Sequence, residues 1–253
     1  MISPKAERLD KILSNFGIGT RKEVKRVIHS GAVTVNGNPV KDESLHVLMG
    51  VDKVCVDGEE IDIPQDVYFM MNKPADYVCS MVSDSHHILF ELIKDEDKNR
   101  KYPGGDLNMV GRLDLDTEGL LILTSDGDLN HRLTSPKWNI PKKYYVTLRD
   151  NVDSQNQKRY IEKCNQGMTL PPEGKHDEEE AKPCVLEWID ENHACLTVTE
   201  GKFHEVKRIF VALGNEVIYL KRLSINGLSL DENLKSGEYR KLTETELSVL
   251  DVE

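Results

Sequence analysis

Gly111-Arg112-Leu113-Asp114-Leu115-Asp116-Thr117-Glu118-Gly119-Leu120-Leu121-Ile122-Leu123 is the most informative stretch of this 253-residue chain. A turn-like segment with two aspartates runs straight into four apolar residues, Leu120 to Leu123. That order predicts a loop feeding a strand buried on both faces. Asp114 and Asp116 then stand at the mouth of a core strand, where a carboxylate is half desolvated and needs a nearby cation. A group so placed is a candidate for chemistry. Two plainer readings compete. D-L-D-T-E-G imitates the opening of a calcium loop, but Ser125 stands where the bidentate glutamate belongs, and apolar strand residues replace the following helix. A structural turn, with Asp116 or Thr117 capping backbone amides, is the other.

Working outward, Val67 to Met71 reads as a buried strand ending at Asn72-Lys73-Pro74. His86 and His87 are adjacent, point apart on any regular element and lack a third ligand at suitable spacing, so surface or capping roles are expected. Lys94 to Gly105 is charged and contains Pro103-Gly104-Gly105, the composition of a mobile loop. Downstream, Ser125 to Asp128 reads as a turn, Leu129 to Leu133 as a short helix and Lys142 to Leu148 as a strand. A weakly patterned helix follows within Val152 to Met168. Pro171 to Lys182 is expected to be an exposed loop, with Asp177 to Glu180 its solvated acidic tip. Val185 to Ile189 and Ala194 to Val198 read as paired strands, and Gly201 to Gly214 as a helix closed by glycine. Strands at Val217–Leu220, Leu223–Ile225 and Leu228–Leu230 complete a mixed sheet with few intervening helices.

The amino-terminal head has a different character. Leu9, Ile12, Leu13 and Phe16 mark a short amphipathic helix stopped by Gly17 and Gly19. Thr20 and Glu23 form a capping box for a second helix with an apolar stripe of Val24, Val27 and Ile28, and Gly31 is placed to end it. Arg21, Lys22, Lys25 and Arg26 project largely away from that stripe. Val33 and Val35 before Asn36-Gly37, and Val54 and Val56 before Asp57-Gly58, are hairpin signals. The chain as a whole carries a net charge of -11, which argues against a nucleic-acid partner. Residues 1 to 47, however, hold eight Lys or Arg against five acids, a net of +3. A basic head on an acidic body marks an interaction module. The five cysteines are scattered, odd in number and without Cys-x-x-Cys spacing, so neither a disulfide framework nor a zinc site is expected. No apolar run is long enough to span a membrane, and Met1 to Asp10 lacks a signal-peptide h-region, so a cytoplasmic protein is expected.

The head, from R-L-D-K-I-L-S-N-F-G to A-V-T-V-N-G, resembles the S4 RNA-binding domain, in which such a helix pair lies on structured RNA. The resemblance implies that Arg21, Lys22, Lys25 and Arg26 contact phosphates, which supplies affinity but little base reading. The central stretch with T-S-D-G after it resembles the signature of the pseudouridine synthases, in the branch that modifies the small ribosomal subunit. Tyr68 to Ser80 and Glu200 to Val217, with its F-H-E-V-K-R-I-F, agree. Together these imply an α+β protein. An S4-like αα-β RNA-binding domain at 1–62 precedes a catalytic domain at 66–253, built on a mixed, largely antiparallel sheet with flanking helices, and Ile61 to Gln65 reads as the linker.

The implied activity is isomerisation of a specific uridine in ribosomal RNA, in the small-subunit 16S molecule at the family's uridine 516 site. No cofactor or metal is implied, and the expected partner of this monomer is the RNA itself or an assembly intermediate. The aspartate after R-L, here Asp114, would be the catalytic residue, attacking sugar or base, or removing a proton from C2′. Lys207 would be its cation, although many relatives carry Arg there. Tyr144, in Lys142-Lys143-Tyr144, would stack on the target base and handle the proton leaving C5, with Lys142 beside it contacting RNA. Arg112 would fill the stack vacated by the uridine or touch its phosphate. One departure is Asp76, where relatives often have Gly. A non-catalytic ribosome assembly factor, or a synthase for the large-subunit 23S RNA, is the alternative.

Overall fold

The core strand at Glu118–Thr124 forms as its apolar run requires, buried on both faces from Gly119 onward. It lies inside a nine-stranded sheet whose main path runs, by residue span, 185–188, 193–198, 142–148, 217–225, 118–124, 68–73 and 239–241. The computed structural model describes residues 6–61, 65–80, 82–83, 85–102 and 105–250. The chain divides into two compact units. One contains Met1–Phe69, Ile93–Asn108 and Leu123–Asp128, and the other Met70–Leu92, Met109–Ile122 and Leu129–Glu253. The middle of the expected linker, 62–64, and Pro103-Gly104 lie outside the described residues.

In the head, helices Leu9–Asn15 and Arg21–His29 pack on a small sheet in which Val33–Val35 pairs antiparallel with Val54–Val56. The capping box is formed: Thr20 N donates to Glu23 Oε2 at 2.8 Å, and Glu23 N to Thr20 Oγ1 at 3.4 Å. Asn36-Gly37 and Asp57-Gly58 both adopt positive φ at each residue, as a tight hairpin turn demands. Leu9, Ile12, Leu13, Val24, Ile28, Val33 and Val54 are fully buried, so the alternations read from sequence do face one core. On the basic helix Arg21, Lys22 and Arg26 are exposed, whereas Lys25 is half-buried with its ammonium 3.2 Å from Glu43.

In the second unit, strand Lys142–Leu148 pairs antiparallel with both His193–Val198 and Val217–Ile225. Its inward residues Tyr144, Val146 and Leu148 pack against helices Ser154–Gln166 and Glu205–Leu213. Strand Glu118–Thr124 runs parallel to Val217–Ile225, with Gly119 opposite Arg222. That register needs glycine: φ is +101°, and a Cβ would stand 2.3 Å from the Arg222 carbonyl oxygen.

Several expectations are corrected. The loop at 94–105 contains a helical turn, Asp95–Lys98, because three acids at its start favour a helix N-terminus, and Tyr102 is buried. The helix after Ser125 begins at Gly127. Val217–Ile225 is one continuous strand of nine residues. The helix assigned to Gly201–Gly214 starts only at Glu205, since His204 takes a left-handed conformation, φ 45°. The acidic segment 177–180 is not a free tip. Glu179–Ala181 pairs with Met168–Leu170, and Glu179 accepts from the buried Arg208 guanidinium at 2.5 Å. Asp76 adopts φ 66°, so the turn is made in glycine's region without glycine. Among the described residues no helix is long and apolar enough to cross a membrane. Gly119→Ala is expected to cost more than about 3 kcal/mol, since the obstruction is backbone that cannot rotate away. Chemical denaturation of the variant measures it.

Candidate active site

The loop bearing Asp114 is held from beneath by Lys73, whose side chain is completely buried at the end of its strand. Its ammonium donates to three carbonyls, Pro74 at 2.9 Å, Leu115 at 3.2 Å and Thr117 at 2.8 Å. Burial pushes the Lys73 ammonium below its ordinary range, opposed by negative charge around it that includes Asp114 and Asp116. Leu113 N donates to Cys79 Sγ at 3.5 Å, Thr117 N to Asp114 O at 3.2 Å and Asp76 N to Leu115 O at 2.9 Å. The segment 113–117 is thus fixed by backbone groups at nearly every residue. Thr117 Oγ1 is buried with no hydrogen-bond partner among the described residues.

Asp114 faces two basic side chains from the same short segment. Lys207, on the first turns of helix Glu205–Leu213, stands 3.6 Å from Asp114 Oδ2. It lies closer still to Asp116, at 2.6 and 2.8 Å from its two oxygens. The expected Lys207–Asp114 pairing is therefore shared, and the second aspartate of D-L-D takes the tighter half. His204 Nε2 is 3.7 Å from Asp114 Oδ1, while its Nδ1 lies 2.9 Å from Glu173 Oε1. The imidazole bridges two carboxylates, and the left-handed residue 204 is what turns it there.

A cavity of about 680 Å³ opens over Asp114, with Arg112, Tyr144, Arg222, His204 and Cys79 among its walls. Tyr144 is 9% exposed, and burial pushes its phenol above the ordinary range while the Arg222 guanidinium beside it pulls down. The strand register explains their proximity, because Tyr144 and Arg222 are cross-strand partners. Arg222 Nε donates to Leu120 O at 2.7 Å, and its Nη2 has no hydrogen-bond partner among the described residues. Lys142 also lines the cavity, but its ammonium donates to Ile140 O at 3.2 Å and Glu200 O at 3.1 Å, and burial lowers it. Arg112 is exposed on the rim. Arg21, Lys22, Lys25 and Arg26 belong to the other compact unit.

The structure brings Lys207 to Asp114 and sets Tyr144 on the same cavity as Asp114, and it adds His204, Glu173, Arg222 and Glu205, none of which the sequence singles out. An arginine at an inward position of a strand was the available signal for Arg222. His204 and Glu173 gave none, since 31 residues separate them. Among the described residues no cluster of three or more His, Cys, Asp or Glu is arranged to hold a metal ion. The site offers a half-buried carboxylate beside a lysine ammonium and an imidazole, a buried phenol and a half-satisfied guanidinium. That set suits cleavage and re-formation of a bond on a flat polar ring by charge and proton chemistry.

Glu205 sits behind the site, its carboxyl raised from 4.5 to about 7, mainly by burial and then by Glu200, against Lys142 and Lys202. Between those values the folded protein holds a proton that the unfolded chain has lost. Stability from this group therefore falls as pH rises from about 4.5 through about 7, to a full cost on the order of 3 kcal/mol. Glu205→Gln is expected to raise the melting temperature at pH 8 and to leave it unchanged near pH 4, in thermal scans across that range.

Comparison with known proteins gives this geometry its context. A model of the RNA pseudouridylate synthase family matches residues 67–212, and a model of the S4 domain matches residues 7–52. The chain is similar to a Bacillus subtilis protein described as the uncharacterized RNA pseudouridine synthase YtzG, 42% identical over 245 residues, covering 96% of this chain and 98% of that one. It is 39% identical over 244 residues to ribosomal small subunit pseudouridine synthase A of Pasteurella multocida, covering 95% and 98% of the two chains. The Escherichia coli protein of the same name is 38% identical over 243 residues, with the same coverage of 95% and 98%. A crystal structure of a pseudouridylate synthase superposes with a TM-score of 0.65 at 39% identity, covering 96% of this chain and 99% of that one. The chain belongs to the RNA pseudouridylate synthase family, with an S4 domain at its amino-terminal end, and is an isomerase acting on RNA.

Proposed function

We propose that this protein isomerises one uridine of small-subunit 16S ribosomal RNA, at the family's uridine 516 site, with Asp114 as the catalytic carboxylate. The observation that carries the chemistry is Asp114 in the wall of a cavity that it shares with the buried Tyr144, flanked by Lys207 and His204. The choice of RNA rests on relatives named for the small subunit that cover nearly the whole chain. In the reaction the N1–C1′ bond breaks, the uracil turns, a C5–C1′ bond forms, the C5 proton leaves and N1 gains one. Composition is unchanged, so the protein supplies position, charge and proton transfer.

Asp114 acts on sugar or base, or takes the C2′ proton, and in every case the Lys207 ammonium compensates the charge it carries, with the His204 ring beside it. Tyr144 stacks on the uracil and handles the proton leaving C5, taking it up as its own hydroxyl proton passes on, with the Arg222 guanidinium beside the phenol. The uridine must leave its helix to reach Asp114, and Arg112 on the rim fills the gap or holds its phosphate. Lys142 contributes mainly by fixing the strand that carries Tyr144. In the head, 1–62, Arg21, Lys22 and Arg26 face solvent and meet RNA phosphates, while Lys25 is partly spent on Glu43. The remainder, 66–253, is the catalytic domain. The enzyme works in the cytoplasm as a monomer on ribosomal RNA or an assembly intermediate.

Mass-spectrometric or carbodiimide mapping of ribosomal RNA from cells lacking the protein should show one small-subunit pseudouridine missing. The wild-type protein should restore it and Asp114→Asn should not, although the purified variant binds the RNA within about two-fold of wild type. Product from Asp114→Asn would refute the role given to that residue, and a missing site in the large-subunit RNA would move the target. Lys22→Glu combined with Arg26→Glu should weaken RNA binding and reduce the slope of log affinity against log salt by roughly 1.5. An unchanged slope in filter-binding measurements would remove this helix from the RNA interface.

A further inference from the structure

Two rings of the cavity wall, His176 and Phe203, take no part in the chemistry above. His176, Phe203 and His204 form a column of stacked rings, with centroids 4.0 Å apart and 10° between planes for the first pair. The second pair is 3.8 Å apart at 18°. All three residues line the cavity over Asp114. One end is anchored, because His204 is held between Glu173 and Asp114 by its two ring nitrogens. The other end is open: His176 is exposed, and Phe203 is 40% exposed although apolar residues of its size are usually buried. A polar loop, Pro171 to Glu178, is thereby committed to presenting a flat ring at the rim.

We propose that this column is a second nucleobase subsite, which takes an unpaired base next to the uridine being isomerised by stacking it on the exposed face of His176. The inference rests on the reading of Asp114 and Tyr144 as the catalytic centre, since the target uracil is then engaged elsewhere and the column must serve a different ring. A base is the fitting ligand. Every nucleobase has a π-face, and stacking on aromatic side chains is a recurrent, sequence-tolerant device for holding single-stranded nucleic acid. It also complements the extrusion step, because a neighbour held on the column cannot close the gap left by the uridine. The F-H pair in F-H-E-V-K-R thereby gains a purpose distinct from that of Lys207: Phe203 joins two rings into one platform, and His204 fixes it beside the reacting carboxylate.

The test uses the full-length Asp114→Asn protein, so that binding is read without turnover, and short RNAs spanning the uridine identified by mapping. Each neighbouring nucleotide is replaced in turn by an abasic residue, and dissociation constants are compared. The expectation is one position, directly beside the target, whose removal weakens binding about ten-fold. Added His176→Ala and Phe203→Ala substitutions should weaken binding of intact RNA by about the same factor and abolish the effect of that abasic position. Phe203→Trp should preserve it. If the alanine variant loses thermal stability, His176→Ala alone and Phe203→Trp carry the comparison, because neither empties the column. Equal abasic penalties with and without the rings, or no penalty at any neighbour, would overturn the proposal. Loss of pseudouridine formation is read separately with the wild-type residue at 114, so failure of the catalytic reading shows as absent product with the stacking pattern intact.

Discussion

A buried ammonium with its three hydrogens directed at three carbonyls of one loop is the constraint on which the catalytic unit depends. Lys73 has no solvent access, and a cation so placed costs several kcal/mol unless it is fully hydrogen-bonded. Pro74, Leu115 and Thr117 supply those bonds, and in return the turn between Asp114 and Glu118 is tied to the end of the neighbouring strand. Removing either side leaves an unsatisfied group in the core, so the loop has little freedom to rearrange. The Asp114 carboxylate gains from this in the role proposed for it, because the scaffold fixes the backbone that carries it.

With the loop fixed, the rest of the site is assembled by two close approaches. Gly119 lets the strand after the loop lie against Arg222, and the same Arg222 is paired on its other side with Tyr144. Carboxylate and phenol are thus brought to one cavity through a single residue of an intervening strand. The opposing wall comes from the start of helix Glu205–Leu213, where left-handed His204 and the first-turn Lys207 both reach Asp114. Lys207 divides its charge between Asp114 and the more exposed Asp116. Asp116 therefore orients the lysine, so the D-L-D spacing does more than shape a turn.

Much of this was legible in the sequence, and the exceptions have physical causes. Leu120 to Leu123 announced a doubly buried strand, and Thr20 with Glu23 and Asn36-Gly37 announced the head, because each is a local signal with a local consequence. The start of the Glu205–Leu213 helix was misplaced because one residue, His204, departs from helical geometry for the sake of a contact with Glu173, far away in the chain. Likewise the acidic segment near Glu179 looked solvated because its partner, Arg208, lies 29 residues on. Lys73 looked like an ordinary strand end, since no local pattern distinguishes a lysine that will be buried by three carbonyls. Arg222 falls in the gap between two expected strands, Val217–Leu220 and Leu223–Ile225, which the structure joins into one.

On the reading proposed above, the head and the cavity recognise RNA by different means: exposed cations on a short helix attract a phosphate backbone, and the cavity takes a planar ring beside Asp114 and Tyr144. The claim at the centre is that this enclosure presents the target nucleotide to Asp114. It is tested most directly by a crystal structure of the Asp114→Asn protein bound to its uridine-containing RNA. The account predicts an extruded uridine with its ring against Tyr144 and its ribose C1′ within about 3.5 Å of the residue-114 side chain. A uridine still stacked in the RNA, or one seated away from Tyr144 and residue 114, would contradict it.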